Sequence, residues 1–432
     1  MNPYFSLSEK VYDITERYPE LIDFLAANGF GKISNPLMRK TIGKQISLEM
    51  AFKSRHVDSD AMEKQLVEVI ENNANGVSKA VSDMSSHISK EKCAIQIEGI
   101  LPCPIRLPLM DVFETWRDTH HMDVNFDLQS ASMGLDWLQE RIEACKDETE
   151  LADVYLSAGY SLFFDYNVLG KYRDTGIFTD SDRTIPLKEM FDNENISLND
   201  PNHQYTVVGI VPAVFMVNTE ALGERPMPES WSDLMKPEYE NTIAFPVQDL
   251  DMFHALLLGI YSKYGTDGLY RLGQNLMQSM HPAQMVKMGK SKKQKEIPAI
   301  TVIPYFFACM MQETKGMQLV WPKDGAILNP IFLLAKSSSK EKVQPLIEFI
   351  LSEEFGKTLS SDGKFPSTNP LVNDCPEKER TFIWPGWDIL YHEDIPTLLK
   401  QAENAFFHYE GGNSGILLFF QVHRRPVRLL SF

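Results

Sequence analysis

The sequence predicts an α/β protein made of two lobes joined by crossover strands and preceded by a small all-α unit. Three observations carry this. From residue 93 onward, short alternating apolar segments take turns with helical ones, the order that builds a parallel sheet with crossover helices. Residues 205–218 form one extended apolar run, long enough to leave one lobe and enter another. Before residue 75 the apolar residues recur at helical spacing instead. At 432 residues the chain exceeds a single compact core, so roughly two or three domains are expected.

In the first unit, Val11, Ile14, Tyr18, Leu21, Ile22 and Leu25 share a helical face interrupted by Pro19, and Asn28-Gly29 supplies a stop. A second helix opens at Ser47 with Leu48, Met50, Ala51 and Phe52. A third covers 59–70, with Met62, Leu66, Val69 and Ile70 on one face. These define a helical domain over 1–75, and the Asn-, Ser- and Lys-rich stretch 76–92 reads as a linker. The strings Tyr18-Pro19-Glu20-Leu21-Ile22, Ala27-Asn28-Gly29-Phe30 and Asn35-Pro36-Leu37-Met38-Arg39-Lys40-Thr41 resemble the small helical domain found beside hybrid-cluster proteins and haemerythrin-like sensors in anaerobes. Members named for a redox disulfide carry a cysteine shortly after the Gly-Phe. Here Gly31-Lys32-Ile33-Ser34 follows and residues 1–92 hold no cysteine, so a docking or dimerisation module is expected.

The α/β part, 93–400, alternates in order. Strands are predicted at 94–100, 123–126, 154–157, 205–218, 242–246, 299–303, 318–322 and 331–335. Helices are predicted at 109–116, 134–145, 163–172, 252–264, 268–280 and 340–351. The first lobe is placed at 93–210 and 318–400, the second at 211–317, and 401–432 reads as an atypical tail.

Five landmarks then fall in sequence: Leu151-Ala152-Asp153-Val154 with Ser157-Ala158-Gly159; Val217-Asn218-Thr219; Pro228-Glu229-Ser230-Trp231-Ser232-Asp233-Leu234; Trp321-Pro322-Lys323-Asp324-Gly325-Ala326; and Phe349-Ile350-Leu351-Ser352 ahead of Phe355-Gly356. In this order they resemble the iron(III)-type and related solute-binding proteins of ABC transporters, which have the type 2 periplasmic-binding-protein fold. The resemblance covers residues 93–370 and implies binding of a small solute by hinge closure, with an ABC permease or an intracellular protein as partner and no catalysis. Iron(III)-binding relatives place two adjacent tyrosines near 305. Tyr305 matches the first and Phe306 replaces the second, so ferric ligation by that pair is not expected.

Ligands of open α/β lobes bind beyond the carboxyl ends of strands, which selects four loops. One is 101–106, where Cys103 sits between prolines and Arg106 could pair with an anion. Another is 157–160, whose Ser157 and Gly159 are small enough for backbone N–H groups to face a ligand. The third, 248–251, offers Gln248 and Asp249, though Asp249 or Asp251 also reads as a helix N-cap. The fourth holds Tyr305, which with Trp321 would suit stacking on a flat or cationic group. Arg106 therefore points to an anionic ligand, and Tyr305 with Trp321 to the opposite.

A net charge of -17 disfavours nucleic acid, and the single basic run, 287–295, reads as solvated surface. No run reaches the roughly 18 apolar residues a membrane helix needs, so no membrane insertion is expected. The N-terminus shows no basic region followed by an apolar stretch, and the five cysteines are odd in number and widely spaced. A cytoplasmic location is the resulting expectation, which makes an intracellular sensor or carrier role plausible. No P-loop, nucleophile elbow or zinc-protease motif is present, and neither a cofactor nor a metal site is expected. Two alternatives stay open: an enzyme using the same cleft through Cys103, and an interaction scaffold with a vestigial cleft.

Overall fold

The computed structural model describes residues 4–54 and 59–70 with short gaps, and 94–408 apart from 132–133, 181–184, 281, 283–284, 287–296, 313, 362–364 and 374–379. The N-terminal unit is helical, with Val11–Arg17, Leu21–Leu25, Pro36–Thr41 and Leu48–Ser54. Ser47 accepts the Met50 N–H and so caps the last of these. Met62, Leu66, Val69 and Ile70 of the expected third helix are buried; Pro19 and the stretch 71–93 lie outside the described residues.

The strands are β1 (Ile95–Leu101), β2 (Val124–Ser130), β3 (Val154–Ala158), β4 (Phe178–Thr179), β5 (Thr206–Asn218), β6 (Ile243–Phe245), β7 (Leu276–Ser279), β8 (Ile300–Pro304), β9 (Met317–Val320), β10 (Ala326–Lys336) and β11 (Phe382–Ile383). They run in the order β2-β1-β3-β10-β5-β8-β6-β7. Within each lobe the pairing is parallel: β1 with β2 and β3, β6 with β7 and β8. The antiparallel exceptions are made by β5 and β10, which pair with each other and serve both lobes. All of β10 is buried, and so is all of β5 except Asn218, as expected of strands covered on both faces.

This register fixes where the strand ends of the two lobes meet. β3 ends at Ala158 opposite Ile331, while β8 ends at Pro304 opposite Ala213, which faces Ile327. The carboxyl ends of the two lobes' strands thus converge on the middle of the β5–β10 ribbon, four residue steps apart on β10, about 13 Å. That middle carries Pro212 opposite Leu328, Pro330 opposite Ile210, and a register shift at Ile331/Phe332. Prolines withhold ladder hydrogen bonds and a bulge bends a strand, so the ribbon is weakest in pairing where the lobes meet.

Four expectations are corrected. The first helix spans Cys103–His120, so Pro104 and Arg106 belong to its first turn and not to a loop; proline is tolerated at 104 because an N–H at that position would have no helical partner. The expected helix 163–172 is only Ser161–Phe164, followed by turns in which Asp165 accepts the Asn167 N–H. The expected pair 252–264 and 268–280 is present as two helices meeting at the non-helical Gly265 (φ 64°, ψ -166°) within Leu250–Gln274, but the second stops at Gln274, after which 276–279 is the edge strand β7. Finally, the last helix, Ile395–Phe407, does not sit with the first lobe as the 318–400 assignment has it. Phe406 packs on Phe245 and Phe253 at ring separations of 5.2 and 5.3 Å. A β-carbon on Gly273 would meet the Phe406 carbonyl at 1.7 Å, so this helix crosses the long one at the distance only glycine allows.

Candidate functional site

Two of the selected loops meet across the lobes. Gly159, just past β3, has φ +90° and gives its N–H to the Pro330 carbonyl at 3.1 Å. Asp251, in the first turn of helix Leu250–Gln274, lies against it: a β-carbon on Gly159 would come 2.5 Å from Asp251 Oδ1. Beside this contact, His254 Nδ1 is 3.2 Å from Ser161 Oγ of the first lobe, and its Nε2 is 3.3 Å from Glu403 Oε1. Asp249 is the N-cap of the helix, accepting the Met252 N–H at 3.2 Å. Desolvation pushes the Asp249 carboxyl up to about 6 against the pull of the Met252 N–H and His254. It pushes Asp251 up to about 7, with the Asp249 charge adding to the shift and His254 opposing it.

The remaining residues of these two loops serve the scaffold. Ser157 is buried and donates to the Ala158 carbonyl at 3.1 Å. Gln248 is exposed and reaches the Ser279 carbonyl at 3.2 Å, tying the loop to β7. The Gly159 N–H, expected to face a ligand, is committed to Pro330 instead.

A second cluster forms where β8 ends. Tyr305 opens helix Tyr305–Met311 and stands edge-on to Trp321, ring centres 5.5 Å apart at 73°. The corner between the rings holds Arg380: its guanidinium carbon is 4.2 Å from the Trp321 ring centre and 4.9 Å from that of Tyr305. Arg380 Nη2 also donates to the Tyr305 hydroxyl at 3.2 Å. Burial pushes the Tyr305 phenol up, and the Arg380 hydrogen bond pulls the other way. Phe306 is buried and stacked on Phe365 at 5.7 Å, so its place in the ferric tyrosine pair is taken by a core residue. Among the described residues, no group of three His, Cys, Asp or Glu is placed to hold a metal ion.

Arg106 is nearly buried, and its Nε donates to the Leu128 carbonyl at 2.8 Å, which fastens helix Cys103–His120 to β2. Cys103 begins that helix; its side chain lies outside the described residues. Sequence reasoning passed over Ser161, His254, Glu403 and Arg380. His254 had a signal, since it stands three residues after Asp251 on the same helix face. Arg380 had none: it follows Glu377-Lys378-Glu379 in a polar stretch far from both rings.

Comparison with known proteins agrees with this fold. Residues 149–393 match the family described as bacterial extracellular solute-binding protein, and residues 5–62 match a domain of unknown function, DUF1858. The spermidine/putrescine-binding periplasmic proteins of Salmonella typhimurium and Escherichia coli are 26% and 25% identical over 179 residues, 39% of this chain. The chain spans about half, 51%, of the length of these relatives. Among solved structures, the periplasmic binding protein AfuA from Actinobacillus pleuropneumoniae, with exogenous fructose-6-phosphate bound, superposes with a TM-score of 0.53 at 15% identity, covering 74% of this chain and 100% of the other. A Trichodesmium protein (IdiA, FutA) in complex with iron and citrate gives 0.52 at 13% identity, covering 72% and 99%. At such identities these structures establish the fold: two α/β lobes on shared crossover strands, as in periplasmic binding proteins. Among the described residues no helix is long and apolar enough to cross a membrane. The family match covers more than half of the chain, and the protein belongs to the bacterial extracellular solute-binding protein family, with a DUF1858 domain ahead of its two lobes.

Proposed function

We propose that the protein binds a small organic cation, an amine-bearing solute, between its lobes by hinge closure, and hands it to an ABC permease. The observation that carries this is Asp251 at the lobe contact with Asp249 two residues before it, two half-buried carboxylates whose desolvation disfavours their charge. A desolvated carboxylate regains its charge most readily beside a cation. Tyr305 and Trp321 support the same reading, since ring faces attract cations. So does the resemblance to spermidine/putrescine-binding proteins. The anionic alternative loses its anchor, because Arg106 is engaged with the Leu128 carbonyl. Binding energy is spent on the closed state, which a solute bridging both lobes favours over the open one.

Titration calorimetry with spermidine, putrescine, citrate, ferric citrate and fructose-6-phosphate tests the class of solute. Saturable one-to-one binding of an amine, absent with the anions, is the expected result. Binding of an anion or of ferric citrate with no response to amines would overturn the reading. A second reading, in place of delivery to a permease, puts the protein inside the cell as a sensor or carrier, with the helical unit as its docking end. Cys145, which is in no disulfide among the described residues, supports it, because a reduced thiol fits a reducing compartment. Recovery of the protein in the extracytoplasmic fraction of its host would end it.

A further inference from the structure

We propose that Arg380 is a resident cation, occupying the Tyr305–Trp321 corner in place of the solute's own positive group, and that solute entry displaces it. This rests on the reading of the cleft as an amine site. Two rings set edge to face present their electron-rich surfaces to one small volume, and the guanidinium fills it at 4.2 and 4.9 Å from the ring centres. The Tyr305 hydroxyl accepts from Arg380 Nη2 as it could from an ammonium group.

The arm that delivers the guanidinium is held by the same wall. The Trp321 indole N–H donates to the carbonyl of Thr381, the next residue, at 3.2 Å, and Phe382 then pairs with Ala326 as β11 meets β10. The backbone beyond Arg380 is therefore fixed, and its long side chain reaches the corner from that anchor. The corner stands at the carboxyl end of β8, where the strand ends of the two lobes converge. A solute ammonium and the Arg380 guanidinium have the same requirement there, and only one can meet it. Competition of this kind lowers apparent affinity by the fraction of time the corner is taken. It also selects for solutes whose cation gains more from two ring faces than an arginine does.

The test is calorimetry with spermidine on the full chain, comparing the native protein, Arg380→Gln, and Arg380→Gln combined with Trp321→Leu. Removing the competitor should tighten binding by about 2- to 30-fold, the range of one cation–π contact, and loss of the Trp321 ring should reverse the gain. Should the glutamine variant not fold, Arg380→Lys replaces it. Its more strongly hydrated ammonium leaves ring faces more readily, so spermidine should again bind more tightly, by a smaller factor. Unchanged affinity in the variants overturns the displacement model alone. Weaker binding also overturns it and makes Arg380 a ligand contact. No amine binding by any of the proteins overturns both this proposal and the amine reading beneath it.

Discussion

Asp251 of the second lobe rests against Gly159 of the first so closely that there is no room for a β-carbon, which would come 2.5 Å from Asp251 Oδ1. With φ at +90°, residue 159 is also in a backbone region that favours glycine. Gly159→Ala is therefore expected to hold the lobes apart and to strain the loop. Spermidine affinity should fall by roughly 5- to 30-fold, the consequence of about 1–2 kcal/mol lost from the closed state. Calorimetry reads the affinity, and far-ultraviolet circular dichroism should show the fold intact.

The pH dependence of binding follows from the same contact. Asp249 and Asp251, raised to about 6 and about 7, keep protons in the folded protein that the unfolded chain releases near 3.8. The folded state thus binds more protons between pH 4 and 7, and this pair's contribution to stability declines as pH rises through that window. A cation lowers both values, so its binding releases protons, and amine affinity should rise from pH 5 to about 7.5, by up to tenfold per unit for each proton released. Asp251→Asn should flatten the profile. A pH-independent affinity in the native protein would contradict the assignment.

Phe406 makes the last helix part of the second lobe. It is completely buried between Phe245 and Phe253. Phe406→Ala should destabilise that lobe by about 3–5 kcal/mol, the usual result of emptying such a position. Urea denaturation followed by fluorescence measures it. Phe406 packs on second-lobe rings, so local exchange protection of β1 and β3 should survive better than that of β6.

Asp153 does for the first lobe what Phe406 does for the second, by polar means. Nearly buried, it accepts the Gln96 N–H and the Lys342 ammonium, each at 2.9 Å, together with the Ser339 hydroxyl at 2.5 Å. Burial raises its carboxyl, and these donors outweigh burial, holding it below the ordinary value. The stability it contributes is present above pH 3.8 and disappears as pH falls through the lowered folded value. Asp153→Ala leaves the Gln96 N–H and the Ser339 hydroxyl without their acceptor and should cost about 2–4 kcal/mol at neutral pH, read by urea denaturation.

The architecture was legible wherever apolar pattern decides structure. The run 205–218 announced β5 because a strand buried on both faces must be apolar throughout, and the alternation from residue 94 announced β1 to β3. Pattern failed at 276–279, where partly covered residues of an edge strand carry no period, and at Pro104, where proline reads as a loop but suits a first helical turn. Of the site, the loops carrying Gly159 and Asp251 and the pair Tyr305 and Trp321 could be found by rule, since ligands gather at strand carboxyl ends. Arg106 could not be separated from a ligand contact, because a guanidinium tied to the Leu128 carbonyl and one facing a cleft look alike in sequence. Arg380 reaches its rings through the pairing of β11 with β10, a long-range contact that no local pattern encodes.

Because β5 and β10 belong to both lobes, synthesis of this chain leaves its first lobe unfinished for a long time. β1, β2 and β3 emerge early, yet Ala158 must wait for Ile331 before the edge of β3 is covered. Until then the nascent protein presents an apolar strand edge with nothing beside it, the kind of surface that recruits chaperones or pairs with the wrong neighbour. The joining of the two lobes and the completion of the fold thus depend on the same strand, and the chain becomes committed to its final shape only when that strand arrives.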